Sequence, residues 1–251
     1  MLNPQLSTLL TKLKLHDFAK SLSSNIDAVY LNEINFEEAV IDACKTELLT
    51  REQKSIERLI RSAHLRYSHA CIDEIKFYVE RNGLSIQSIN RFSECAWINI
   101  NKNIIILGPT GIGKTWIACA FATEACKKGY KAIFYRAPDF IEALEQAVDN
   151  SNEKLFIKKL KRFKLVVIDD FGLSNIPSKV ENALLNFIDS YSTNGSLLIT
   201  SQYSYDLWHE KFNDPTLADA ILDRIIHNAF KLEITGDSMR KNRSLDVEAT
   251  L

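Results

Sequence analysis

Three observations predict an α/β fold, a parallel sheet flanked by helices, with a smaller all-helical N-terminal domain. From Trp97 onward, short β-branched runs alternate with helix-length segments, the pattern of parallel βαβ units. Those runs do not alternate polar with apolar residues, as expected of strands covered on both faces. Before residue 96, apolar residues recur instead at helical spacing. A helical domain is therefore expected over 1–95 and the sheet domain over 96–251.

Composition supports a folded chain of this size. Of the 251 residues, 46 % are apolar, enough for a sizeable core, and 25 % are charged, which argues against extensive disorder. Lys plus Arg number 31 and Asp plus Glu 32, so any nucleic-acid contact must come from local patches rather than overall charge. The five cysteines, Cys44, Cys71, Cys95, Cys119 and Cys126, are scattered without a C-x-x-C and read as reduced side chains of a cytoplasmic protein. Cys119 and Cys126 stand seven apart, as on a core-facing helical stripe. Met1 to Leu15 shows no secretory pattern, and the longest apolar runs are strand-sized, so no membrane span is expected.

Taken in order, Gln5 to Leu22 is amphipathic through Leu6, Leu9, Leu10, Leu13, Leu15, Phe18 and Leu22. A longer helix is expected from about Phe36 to Leu65, with Val40, Ala43, Cys44, Leu48, Ile56, Leu59, Ile60 and Ala63 keeping a rough 3.6 period. Residues 67–95 look helical but irregular, with Gly83 as a break. Nothing in 1–95 carries catalytic spacing, so this region is expected to pack or to dock a partner. Beyond it, strands are expected at 103–108, 132–136, 165–169, 196–200 and, more weakly, 229–234. Helices are expected near 114–128, 138–148, 153–162, 178–191 and 216–226.

The sheet domain is organised around Gly108-Pro109-Thr110-Gly111-Ile112-Gly113-Lys114-Thr115, which fits G-x-x-x-x-G-K-[ST]. The apolar run Asn103 to Leu107 precedes it and a helix-like stretch follows, the context the motif requires. Glycines let the backbone curl so that successive N–H groups face the α- and β-phosphates of a nucleotide. The positive end of the next helix adds to that field. Lys114 can reach the β- and γ-phosphates and the Thr115 hydroxyl can ligate Mg²⁺. Trp116, next on the helix, completes the expected nucleotide-contacting set.

Leu165-Val166-Val167-Ile168-Asp169-Asp170 delivers two carboxylates at a strand end. Asp169 is placed to hold Mg²⁺ and Asp170 to polarise the attacking water. Another strand ends in Thr200-Ser201-Gln202, any of which could orient that water. Ser201 is the one grouped with Lys114, Asp170 and Arg224 as candidate catalytic residues. A guanine-reading Asn-Lys-x-Asp is missing, since the sole Asn-Lys pair, Asn101-Lys102, precedes the glycine loop. ATP is the expected nucleotide.

Arg224, in an apolar helical context, could reach across a subunit boundary to a neighbour's nucleotide, or could pair with Asp219, Asp223 or Asp170. Arg240 could meet the γ-phosphate of its own subunit, or be a solvated arginine. Basic clusters at Lys127-Lys128-Lys131 and at Lys154, Lys158, Lys159, Lys161, Arg162 and Lys164 could form a phosphate-contacting stripe or plain solvated faces. His16, His64, His69, His209 and His227 show no ligand spacing.

With these motifs the ATPase part resembles the AAA+ group that includes helicase loaders of the DnaC/DnaI type. It resembles the IstB-like transposition helper ATPases more closely. The likeness covers nearly the whole chain, from Leu13-Lys14-Leu15 and the Glu47–Leu65 helix to the glycine loop and Val167-Ile168-Asp169-Asp170-Phe171-Gly172. It is sharpest late, at Gly195-Ser196, Ile199 to Gln202, Trp208, Ala218 to Arg224, and Gly236-Asp237-Ser238-Met239-Arg240. The resemblance implies an ATP-dependent homo-oligomer on DNA that partners a transposase, with Arg224 acting in trans. The alternatives are a replicative helicase as partner, or a nucleotide-gated assembly module. One departure is Asp170, where many AAA+ proteins carry Glu, which suggests slow turnover. Another is the end of the sequence soon after Arg240, from which no full helical lid is expected.

Overall fold

The computed structural model describes residues 2–31, 33–75, 77 and 82–239. The chain divides into two compact units, Met1–Arg58 and Leu59–Leu251.

The first unit holds α1 (Pro4–Lys12), α2 (His16–Tyr30) and most of α3 (Phe36–Ser62). Asn3 caps α1, its side chain accepting the Gln5 amide at 2.8 Å, and Pro4 fills the first turn, where no N–H is needed. Leu15 offers α2 no side-chain cap. Glu47 of α3 does so instead, its Oε2 accepting the amides of Asp17 at 3.0 Å and Phe18 at 2.9 Å. Arg51 donates to the other oxygen at 2.7 Å. Ala39 and Ala43 of α3 are fully buried in one cluster with Leu22 of α2.

The second unit begins inside α3, earlier than the boundary expected after residue 95. The reason is burial: Ala63, Leu65, Ala70, Ile75, Leu84, Ile89, Phe92 and Cys95 join the cluster under the sheet. The amide of Phe134 donates to Ala63 O at 2.9 Å, tying residue 63 to a strand edge. Helix α3 stops before His64, whose φ of 52° lies in the left-handed region. The irregular stretch that follows contains α4 (Ile86–Ser93), opened by a Ser85/Ser88 capping box, and α5 (Ala96–Asn99).

The remaining order is β1 (Asn103–Leu107), α6 (Lys114–Lys127), β2 (Ala132–Arg136), α7 (Ala137–Asp149), α8 (Glu153–Leu160), β3 (Leu165–Asp169), α9 (Ser178–Tyr191), β4 (Ser196–Ser201), α10 (Tyr205–His209), α11 (Pro215–Ile226) and β5 (Ala229–Glu233). The five strands form one parallel sheet in the order β2-β3-β4-β1-β5. Successive strand residues point to opposite faces, and both faces are apolar. Ile104, Ile106, Val167 and Leu198 pack with α6, while Ile105, Val166, Ile168, Leu197 and Ile199 share a core with α7, α9 and α11. That double burial explains the unalternating strand sequences. Among the described residues no helix is long and apolar enough to cross a membrane.

Candidate nucleotide and metal site

β1 and β3 are separated by β4, so a loop after β1 and a carboxylate ending β3 stand two strand spacings apart, about 10 Å. Side chains from α6 and β4 close that gap. The loop leaves Leu107 at Gly108, where a Cβ would stand 2.3 Å from the Ile234 carbonyl oxygen. Gly111 (φ 86°) would bring a Cβ to 2.1 Å from Ser238 Oγ. The chain after β5 therefore lies directly on the loop: Ile234 N donates to Leu107 O at 2.8 Å and Met239 N to Gly111 O at 2.9 Å.

Gly113, with φ 93°, sits at the N-cap of α6 and supplies no side-chain cap, so the backbone comes close to the start of the helix without a Cβ in the way. The first amides of a helix, at its positive end, suit a phosphate. Lys114 is buried, and its Nζ donates to Gly108 O at 2.9 Å and Pro109 O at 3.0 Å, which curls the loop around the ammonium.

Asp169 is fully buried. Thr200 Oγ1 lies 2.6 Å from its Oδ1 and Thr115 Oγ1 lies 3.1 Å from its Oδ2. The Asp170 amide donates to the same Thr200 hydroxyl at 3.0 Å. That leaves the Thr200 proton free to donate to the carboxylate. Arg66 Nη1 stands 3.8 Å from Asp169 Oδ2. Burial pushes the Asp169 carboxyl above the usual aspartate range and the Asp170 charge adds to this, against the hydroxyls of Thr200 and Thr115 and the Arg66 cation. Asp170 is half-buried and takes φ 60°, which turns the chain sharply after the strand.

A carboxylate and a hydroxyl make a hard, all-oxygen donor pair. Mg²⁺ takes few protein ligands and completes its shell with phosphate oxygens and water, so Asp169 and Thr115 fit that ion. No group of three or more His, Cys, Asp or Glu side chains that could hold a metal occurs among the described residues.

The other expected residues fall in different places. Ser201 is a correction. Its side chain is turned into the core, where Oγ donates to Phe171 O at 2.6 Å and accepts from Trp208 Nε1 at 2.9 Å and Tyr203 N at 3.1 Å. It fixes α10 and the loop after β3 and does not face the glycine loop. Its neighbour Gln202 does, accepting from the Thr110 hydroxyl. Trp116 packs against Tyr67 and His69, with ring centroids 5.4 and 5.2 Å away.

Arg224 pairs with Asp189 of α9 and donates to Ala220 O at 2.7 Å, so none of Asp219, Asp223 or Asp170 is its partner. It is exposed at the end of α11, where Asn103 Nδ2 donates to Ile225 O at 3.2 Å. Asn103 opens β1 and Leu107 closes it, so Arg224 lies about 13 Å of strand away from its own loop. Arg240 lies outside the described residues. Thr200 and Arg66 are the residues that sequence reasoning did not single out. Thr200 stood among three alternatives, and Arg66 carries no motif.

A parallel β2-β3-β4-β1-β5 sheet, a glycine loop between β1 and α6, and a buried acid ending β3 define a P-loop nucleotide-binding protein of the AAA+ type. More narrowly, the chain belongs to the family of IstB-like ATP-binding proteins, whose model matches residues 8–247. It is 42 % identical over 147 residues to an insertion-sequence ATP-binding protein, y4uH, of Sinorhizobium fredii (strain NBRC 101917 / NGR234), a stretch spanning 59 % of either chain. It is 30 % identical over 236 residues, 94 % of either chain, to a protein of Bacillus thuringiensis subsp. berliner named as the ATP-binding protein of insertion sequence IS232. The fold is shared with a crystal structure of the DnaC helicase loader, at a TM-score of 0.57 and 23 % identity, covering 67 % of this chain and 98 % of that one.

Proposed function

We propose that this chain is an ATPase that works as a DNA-bound homo-oligomer and assists a transposase in selecting or remodelling target DNA. The observation that carries the reading is the division of labour across the sheet. Lys114, Thr115 and Asp169 converge at the carboxyl ends of the strands, while Arg224 stands toward their amino ends, exposed on α11. Gly108 to Trp116 would hold the triphosphate. Thr115 and Asp169 would hold Mg²⁺, which would supply positive charge against that developing on the phosphates. Asp170 would take the proton of the attacking water. A neighbour's Arg224 would leave its pairing with Asp189 and stabilise the transferring phosphoryl group. The insertion-sequence names of the relatives support a transposase, rather than a replicative helicase, as partner.

A mixing experiment tests this. Lys114→Ala should lose ATP binding, and Arg224→Ala should bind ATP but not hydrolyse it. Mixed together with DNA, the two inactive proteins should regain part of the activity, because an intact arginine then faces an intact loop. Full activity of Arg224→Ala as a monomer would overturn the proposal. A second reading, a nucleotide-gated assembly module with negligible hydrolysis, is favoured by Asp170, a short acid whose backbone turns away from the strand. Absence of phosphate release at any DNA concentration would select it.

A further inference from the structure

We propose that Arg66 is a resident counter-charge of the metal position, competing with the divalent cation for one oxygen of Asp169. The inference rests on the reading of Thr115 and Asp169 as the metal-holding pair.

The two oxygens of Asp169 are not equivalent. Oδ1 is engaged by Thr200 at 2.6 Å, a contact inside the sheet that loading with a nucleotide has no reason to break. Oδ2 faces Thr115 at 3.1 Å and is the oxygen turned toward the glycine loop. Arg66 Nη1 addresses that same Oδ2, at 3.8 Å. A fully buried carboxylate needs a compensating charge. Arg66 supplies it from a side chain that is itself 42 % exposed and has room to leave.

The segment that carries Arg66 is anchored on both sides. Phe134 N holds Ala63 O at 2.9 Å, and Tyr67 lies against Trp116 on the first turn of α6. In the same pose the guanidinium lies over the Tyr67 ring, 5.7 Å from its centroid, which helps to hold its charge beside the carboxylate. A divalent ion arriving at Oδ2 would stand within a few ångströms of the guanidinium, and like charges that close repel. Cation binding therefore drives Arg66 away from Oδ2, toward solvent or toward the incoming phosphates. Displacing it disturbs residues 63–70, the stretch directly after the end of α3.

The test measures Mn²⁺ affinity with saturating ADP, by the paramagnetic resonance signal of free Mn²⁺, on the full chain and its variants. Arg66→Ala should bind Mn²⁺ about tenfold more tightly, because a competing charge is gone. Arg66→Lys, which keeps the charge, should stay within about threefold of the parent chain. Without metal, Arg66→Ala should melt at a lower temperature than the parent, and Mn²⁺ with ADP should close the gap. Unchanged or weaker Mn²⁺ binding in Arg66→Ala would overturn the proposal. Asp169→Asn separates this failure from failure of the metal reading. If it abolishes Mn²⁺ binding, Thr115 and Asp169 are the site and only the role of Arg66 is in question. If Mn²⁺ still binds as before, the metal reading falls and the competition falls with it.

Discussion

The hydroxyl of Thr200 stands between the acid that ends β3 and the acid that follows it, 2.6 Å from the Asp169 carboxylate and 3.0 Å from the Asp170 amide. One side chain on the central strand therefore orients the acid before it and the turn after it. Thr200→Val keeps the shape and removes both contacts. Nucleotide affinity in the presence of EDTA should be unchanged, while the extra affinity given by Mg²⁺ should fall about tenfold. Stability should drop by roughly 1–3 kcal/mol, the cost of leaving a buried polar group unpaired. Titrations with and without metal, beside a denaturant melt, check all three.

Asp170 occupies a left-handed conformation that Asp tolerates better than most side chains and Glu tolerates poorly. This gives a physical account of a short acid at this position. Asp170→Gly should be neutral or stabilising by about 0.5–1 kcal/mol, because glycine adopts φ 60° freely. It should also lose phosphate release while keeping ATP binding. A variant that lost stability and binding together would show that the side chain holds the fold.

Acidification should loosen the N-terminal helices in part through Glu47. The Phe18 amide, with Arg51 and the Asp17 amide, holds its carboxyl below the usual glutamate range, against the opposing effect of burial. A depressed folded value contributes stability that is complete above the unfolded value near 4.5 and is lost as pH falls through the folded one. Glu47→Gln should therefore be less stable than the parent at pH 7, with the difference shrinking below pH 4.5. Helical circular dichroism of the two proteins across that range is the measurement.

Lys158, Lys159 and Lys161 are exposed on and just after α8, whose other side buries Ile157 and Leu160. If they meet DNA phosphates, reversing all three charges should weaken DNA binding and flatten its salt dependence by up to about 0.9 log unit for each phosphate no longer neutralised. An unchanged affinity and slope would make them a solvated face.

Much of this architecture was legible in the chain. β2 and β3 fall where unalternating runs predict them, because β3 and the first three residues of β2 are buried on both faces. The domain boundary was not legible. Ala63, Leu65, Ala70, Leu84, Ile89 and Phe92 read as helical spacing but are buried in the cluster that holds α6, and hydrophobic spacing does not say which partner covers a face. Ser201 was misread for a related reason. Adjacent residues of β4 point to opposite faces, and only the register against β3 decides that Thr200, not Ser201, meets Asp169. Arg66 left no trace, since it stands far along the chain from the carboxylate it approaches and belongs to no motif.

The placement of the glycine loop at one end of the strands and Arg224 toward the other gives the molecule a direction. Copies joined so that each arginine serves the next loop share a head-to-tail contact, in which donor and acceptor surfaces differ. A row of such copies that does not close into a ring has two dissimilar tips. One displays an arginine with nothing to serve, and the other holds a nucleotide that no neighbour completes. Growth, shedding and arrest of the row can then be governed separately at its two tips.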